Sequence, residues 1–154
     1  MHPRRLVATL LVLLACGRPA RSDDWPTFRG ADRTGVAPDT DLLEAWPAEG
    51  PALVWKTAGA GRGYAGPAVA GDRIFTLGDG LSTAADSDEY LSCFDRETGT
   101  QLWKTKTGGP WTDGKESWQS SRSTPTVAGD TVYVLTPFGQ LVACAVQDGR
   151  ELFH

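Results

Sequence analysis

Two stretches decide the fold: Gly66-Pro67-Ala68-Val69-Ala70-Gly71-Asp72-Arg73-Ile74-Phe75-Thr76-Leu77 and Thr124-Pro125-Thr126-Val127-Ala128-Gly129-Asp130-Thr131-Val132-Tyr133-Val134-Leu135. They run at a constant offset of 58 and share Pro67/Pro125, Val69/Val127, Ala70/Ala128, Gly71/Gly129, Asp72/Asp130 and Leu77/Leu135. Self-similarity at such a period marks a repeat architecture. In each copy two apolar runs flank a Gly-Asp pair. Gly at the first central position of a two-residue loop suits a type II′ hairpin turn, because it adopts positive φ without a Cβ penalty.

The repetition continues. Leu91-Ser92-Cys93-Phe94-Asp95-Arg96-Glu97-Thr98-Gly99-Thr100-Gln101-Leu102-Trp103 matches Val142-Ala143-Cys144-Ala145-Val146-Gln147-Asp148-Gly149-Arg150-Glu151-Leu152-Phe153 when one residue is removed from the second turn. That alignment makes Cys93 and Cys144 equivalent and the first turn the longer one. The extra length of the first copy falls between Gly78 and Tyr90. Both second turns carry Asp and Gly, and the chain contains no Asn, so these two residue types supply the turn chemistry. An aromatic follows each turn glycine at the same distance, Trp103 after Gly99 and Phe153 after Gly149. Leu53-Val54-Trp55-Lys56-Thr57 parallels Leu102-Trp103-Lys104-Thr105 and predicts a lone last strand ahead of the first full copy.

Each copy therefore reads as four short antiparallel strands. A small twisted sheet has two faces and cannot bury both alone, so a sheet of the same kind must cover one, with the large aromatics filling the wedge between neighbours. Radial repetition of four-stranded sheets is the β-propeller. The fold class is thus all-β: an incomplete arc of about two blades plus one N-terminal strand. The repeat positions that define it are Trp55, Gly71, Asp72, Gly99, Trp103, Gly129, Asp130, Gly149 and Phe153.

The expected order along the chain is a leader (1–22), an N-terminal segment holding one strand (23–63), a first blade (64–104), a long connection (105–122) and a second blade (123–154). Only Asp41 to Trp46 is compatible with a single helical turn. A closed ring of such blades wants more than about 300 residues at roughly 40 to 45 per blade. The reading is therefore of a fragment, or of a part completed by other blades. An open arc would leave an apolar blade face uncovered, which is an aggregation liability.

The leader reads as an export signal. Arg4 and Arg5 form a basic start, and the ten residues Leu6 to Ala15 are apolar apart from Thr9. Ten residues are too few to span a bilayer and suit a signal core. Two cleavage patterns compete: Ala20-Arg21-Ser22 before Asp23, and Leu13-Leu14-Ala15-Cys16, which resembles a lipoprotein signal and would leave a lipid on Cys16. Either places the mature chain outside the cytoplasm, in the periplasm, at the outer membrane or secreted, with any membrane attachment made through that lipid.

Composition narrows the chemistry. The formal charge is −4, from 15 Lys and Arg against 19 Asp and Glu, and Arg4, Arg5, Arg18 and Arg21 all fall in the leader. The remaining 11 cations form no cluster, so the chain lacks the basic footprint of a nucleic-acid binder. The only histidines, His2 and His154, sit at the two ends, which leaves no internal base for a Ser/His or Cys/His arrangement and too few ligands for zinc. Asp86, Asp88 and Glu89 could offer carboxylates to calcium, but a solvated loop is the preferred reading. Cys93 and Cys144 read as buried free thiols, since packed sheets stand about 10 Å apart and a disulfide needs Cα atoms within about 7 Å. Trp111 and Trp118 lie in the long connection and either fold back on the propeller or anchor a partner. Arg62, Tyr64 and Arg122 precede the first strands of their copies.

Asp24-Trp25-Pro26-Thr27-Phe28-Arg29-Gly30, the doubled Pro-x-Val-x-Gly-Asp and Asp95-Arg96-Glu97-Thr98-Gly99 followed by Trp103 together resemble the pyrroloquinoline-quinone-like (PQQ-like) β-propeller repeat family, which includes the outer-membrane assembly factor B type. The resemblance covers most of residues 24–154. It implies either of two functions. The first, preferred, is a non-catalytic, protein-binding or scaffold module of the cell envelope, with a protein partner or the missing blades as its contacts. The second is a piece of a quinoprotein dehydrogenase. True quinone sites in the wider superfamily use a vicinal cysteine pair, an Asn among calcium ligands and a stacking Trp. This chain has no adjacent cysteines and no Asn. No catalytic, cofactor or metal residue is assignable, and PQQ with calcium enters only under the second reading.

Overall fold

The computed structural model describes residues 23–80, 88–111 and 119–154. The leader with Cys16, and Asp86 and Trp118, lie outside the described residues. Eight strands form in chain order: β1 (Ala68–Ala70), β2 (Arg73–Asp79), β3 (Glu89–Asp95), β4 (Gln101–Gly108), β5 (Thr126–Ala128), β6 (Thr131–Leu135), β7 (Leu141–Ala145) and β8 (Glu151–Phe153). They make two separate four-stranded sheets, ordered β1-β2-β3-β4 and β5-β6-β7-β8. All pairings are antiparallel. The molecule is an arc of two propeller blades. No helical turn forms between Asp41 and Trp46, where the chain bends and Asp41 itself takes φ 57°.

The local chemistry explains the match between blades. Gly71 and Gly129 both take φ 57°, while Asp72 and Asp130 keep negative φ, the dihedral signature of a II′ turn. Ala70 then pairs Arg73 and Ala128 pairs Thr131. In each blade the second turn is tied back to this hairpin, Arg96 N donating to Asp72 O and Val146 N to Asp130 O, both at 2.9 Å.

These bonds correct the alignment of the second halves. Asp95 N donates to Thr100 O and Gly99 N to Asp95 O; Ala145 N donates to Arg150 O and Gly149 N to Ala145 O. Asp95 therefore corresponds to Ala145, and the two turns have the same length. Cys93 pairs Phe75, whereas Tyr133, the counterpart of Phe75, pairs Ala143. Cys93 and Cys144 are thus not equivalent: they sit one register apart, and successive strand residues point to opposite faces. The two shared cysteines drew the sequence alignment off by one residue.

That register sets the core. Ala68, Phe75, Leu77, Leu91 and Cys93 from one blade meet Val132, Val134, Val142 and Cys144 from the other in a single buried cluster. Both thiols are buried and free. They share the seam because one blade contributes its forward face and the next its rear face.

The forward face of the second blade has no such cover among the described residues. Leu77 is 3% exposed and its counterpart Leu135 52%; Leu91 is 0% exposed and its counterpart Leu141 50%. Equivalent positions differ only in having a neighbouring sheet, so the open face predicted from sequence is present.

The lone strand predicted at residues 53–57 forms no ladder in the described residues, for want of a strand beside it. Its tryptophan is nevertheless placed as the repeat demands, with the Trp55 indole N–H donating to Arg96 O.

Candidate functional site

Four of the sequence-predicted repeat residues, Trp55, Gly99, Trp103 and Gly149, assemble into two equivalent docking joints. Trp103 Nε1 donates to Val146 O at 3.0 Å, and Trp55 Nε1 donates to Arg96 O at 3.0 Å. Each indole lies on the glycine of the turn it caps: a Cβ on Gly149 would stand 2.5 Å from Trp103, and one on Gly99 2.5 Å from Trp55. Both glycines have positive φ, 73° and 70°. Thr105 Oγ1 adds a bond to Gly149 O at 2.6 Å. Within the first blade Trp103 also meets Phe75 at 5.8 Å, a pair repeated in the second blade by Phe153 and Tyr133 at 6.4 Å. Trp103 thus bridges the two described blades, and Trp55 docks the preceding segment on the first.

The N-terminal motif closes the other edge of the seam. Trp25 exchanges backbone hydrogen bonds with Val69 of β1, 2.8 and 2.9 Å, and the next residue, Pro26, accepts from Val127 N of β5 at 2.8 Å. Thr27 Oγ1 contacts Thr126 Oγ1 at 2.9 Å. Residues 25–27 thus stitch the first strands of both blades together. Asp24 anchors this stitch, both carboxylate oxygens accepting Gly71 N–H at 3.0 Å, with Arg96 Nη1 at 3.5 Å. Beyond it the chain turns sharply through Arg29 (φ 65°) and Gly30 (φ 79°), and Gly30 packs against the Trp25 ring.

This turn helps to form an open groove of about 550 Å³, lined by Trp25, Phe28, Arg29, Tyr64, Val69 and Arg122 among others. Two arginine–aromatic pairs flank it. The Arg29 guanidinium lies 5.3 Å from the Phe28 ring centroid, and the Arg122 guanidinium 5.8 Å from that of Tyr64. Such pairs are attractive through the ring quadrupole. A parallel bridge between Gly63 and Ser121, with Tyr64 N donating to Ser121 O at 2.8 Å, brings Tyr64 and Arg122 side by side. Of Arg62, Tyr64 and Arg122, which the sequence places ahead of the first strands, Tyr64 and Arg122 line this groove, while Arg62 shares a smaller cavity with Tyr64 and engages Asp79, with Nη2 to Oδ2 at 2.7 Å and Nε to Oδ2 at 3.0 Å. Phe28 and Arg29 belong to the family-like N-terminal motif, and nothing in their spacing tells that they meet Tyr64, 36 and 35 residues further on, at one groove.

The acidic loop is corrected as well. Asp88 pairs with Lys106 Nζ at 2.8 Å, as a surface residue would. Glu89 is no loop residue: it opens β3 and is fully buried. Alternation with Leu91 turns its side chain into the seam. Trp111 folds back onto Phe138, ring centroids 5.9 Å apart, in keeping with a covering role for that aromatic.

A quinone-and-calcium site does not fit what is described. Cys93 and Cys144 lie on different strands inside the seam, and no set of three His, Cys, Asp or Glu side chains able to hold a metal is assembled among the described residues. The donor set such a cofactor needs is not gathered at the groove or at the seam.

Comparison with known proteins gives one assignment. The family model described as outer membrane protein assembly factor BamB matches residues 18–154. No curated protein matches the chain. The repeated strands, the paired tryptophan joints and a match over nearly all of the chain converge: the protein belongs to the BamB-like PQQ-repeat β-propeller family.

Proposed function

We propose that this chain is part of an exported propeller that binds a protein partner in the cell envelope and performs no chemistry itself. The observation that carries this reading is the groove at the start of the two blades, where Phe28 and Tyr64 stand largely exposed beside Arg29 and Arg122. Aromatic and arginine side chains dominate the binding energy of protein interfaces. Here they are held by backbone bridges to two blades at once, which pre-orders them and lowers the entropic cost of docking. The family described as an outer membrane assembly factor accords with contact between proteins. The export-type leader supplies the compartment, and Cys16, if lipidated, the anchor.

The test is site-specific photo-crosslinking from position 64 in cells producing the full chain. A discrete protein adduct that disappears with Arg122→Glu supports the reading. Adducts unaffected by Arg122→Glu and Arg29→Glu would remove the groove from consideration. Alcohol-dependent dye reduction on adding quinone and calcium would overturn the non-catalytic assignment outright.

A further inference from the structure

The forward seam holds a carboxyl that the docking function leaves unused. Glu89 is 0% exposed, and neither of its carboxyl oxygens has a hydrogen-bond partner. Ser121, also fully buried, has an unpartnered hydroxyl. The two stand close enough for the hydroxyl to favour the charged carboxylate, but outside hydrogen-bond geometry.

The charged groups around Glu89 can be named strand by strand. On β2 its cross-strand partner is Asp79, also buried. The segment before β1 contributes Arg62, which is engaged by Asp79. On β4 the neighbours are Gly108 and Thr107, whose hydroxyl donates to the Glu89 carbonyl at 3.2 Å. The segment before β5 contributes Ser120 and Ser121, and Ser120 Oγ donates to Arg62 O at 2.6 Å. Asp88 and Lys106 pair with each other. The charge that acts on Glu89 is that of Asp79, itself an acid, so an ionised Glu89 would set a second negative charge beside it in a buried position, a state that buried carboxyls avoid by keeping their proton.

We propose that Glu89 is a buried proton site: its carboxyl is held as the neutral acid beside Ser121, and loss of that proton to water loosens the Gly63–Ser121 bridge that carries the groove. The connection is short. Arg62, Gly63 and Tyr64 are consecutive, as are Ser120, Ser121 and Arg122. The Arg62–Tyr64 segment is thus tied to Asp79, the cross-strand partner of Glu89, the Ser120–Arg122 segment places Ser121 beside the carboxyl, and the two present Tyr64 and Arg122 at their other end. Backbones approach closely next to this site: a Cβ on Gly61 would collide with the Asp79 carbonyl and one on Gly78 with the Ala60 carbonyl. A new charge beside Asp79 is relieved by parting these segments toward the neighbouring cavity lined by Arg62, Gly63, Tyr64 and Gln119. Burial, the larger influence, and the Asp79 charge both raise the Glu89 pKa.

The link to docking rests on the function proposed above, but the proton site is tested without any partner. In the full chain, a carboxyl-carbon NMR titration, with Glu89 assigned through Glu89→Gln, should find the acid keeping its proton above the range of an ordinary glutamate, whose pKa is about 4.3. Amide protection at Tyr64 should fall by up to about tenfold per pH unit, the limit for one proton, as pH rises from that ordinary value toward the raised one at which Glu89 titrates, and stay level in Glu89→Gln. If that variant does not fold, the carboxylic-acid carbonyl band in the infrared spectrum of the wild-type chain decides, by persisting as pH rises past the ordinary glutamate range. Ordinary titration of Glu89, absence of that band, or parallel pH profiles for wild type and Glu89→Gln would overturn the proposal. Neutral Glu89 with no adduct from position 64 at any pH would instead retain the proton site and overturn the docking function.

Discussion

Trp103 lies against Gly149 so closely that a single added carbon would stand 2.5 Å from its ring and 2.7 Å from Thr105 Oγ1. The turn of the second blade is thereby shaped by a side chain of the first, and the seam is specified from both sides. Gly149→Ala combines a disfavoured positive φ with a steric collision. Gly129→Ala carries the unfavourable φ alone, for nothing lies within 4 Å of its added carbon. Gly149→Ala should therefore cost about 1–3 kcal/mol more than Gly129→Ala, measured as the difference in denaturant unfolding free energy. Equal losses would mean that the joint yields freely.

The indole N–H at the same joint is separable from its ring. Trp103→Phe leaves Val146 O without its donor at the seam and should destabilise by about 1–3 kcal/mol. Phe153 occupies the corresponding place in the second blade with its ring half exposed. Phe153→Trp, with no described turn to dock on, should change stability by less than about 0.5 kcal/mol. Denaturation midpoints of the two variants, measured together, check the asymmetry.

These joints also show what could be read from sequence. Gly-Asp hairpins, turn glycines and the Trp55–Trp103 parallel are local patterns with fixed spacing, and the structure uses them as written. The relation of Cys93 to Cys144 failed because an alignment rewards identity, whereas a ladder counts residues from the turn; the hydrogen bonds of Asp95 and Ala145 carry the true register. Glu89 was hidden among Asp86 and Asp88 because strand β3 begins one residue after a polar run, and a charged residue at a strand end looks like loop. The groove eluded sequence reading because its two arginine–aromatic pairs come from segments that meet only through the Gly63–Ser121 bridge and the Trp25 stitch.

The open forward face of the second blade makes a prediction about association. Leu135 and Leu141 are half exposed where their counterparts are covered. Each removes apolar surface worth about 25 cal/mol per Å² when another sheet covers it. The purified chain should self-associate, and the double variant Leu135→Glu, Leu141→Lys should shift it toward monomer in sedimentation or light scattering. A wild-type chain that stays monomeric at high concentration would show that this face is shielded.

Asp24 couples the N-terminal stitch to the first hairpin through two oxygens on Gly71 N–H and a longer contact to Arg96. Half exposed, the pair with Arg96 is weakened by solvent and salt. The hydrogen bond to Gly71 is the larger part, so Asp24→Ala should cost about 0.5–1.5 kcal/mol, with only a weak dependence on ionic strength. Faster exchange of the Gly71 amide in the variant would locate the loss at the hairpin; a strong salt effect on the wild type would assign it to Arg96 instead.

The two seam thiols give a pH dependence with a definite sign. Burial pushes the Cys144 thiol up from its ordinary 9.0 to about 11, helped by the charge of Glu151, and raises Cys93 as well, where Arg73 opposes the rise from 3.8 Å. In each case folding favours the protonated form. Below about pH 9 both states keep the proton and stability is unaffected; as pH climbs from 9 toward 11 the unfolded chain ionises first and stability falls. Since the thiolate is the nucleophile, both cysteines should resist alkylation at pH 8 in the folded chain and react at once in denaturant. Labelling followed by mass spectrometry reads this directly. Rapid folded-state modification of Cys144 would show that the seam opens more readily than its packing of Val132, Val134 and Val142 against Phe75 and Leu77 implies.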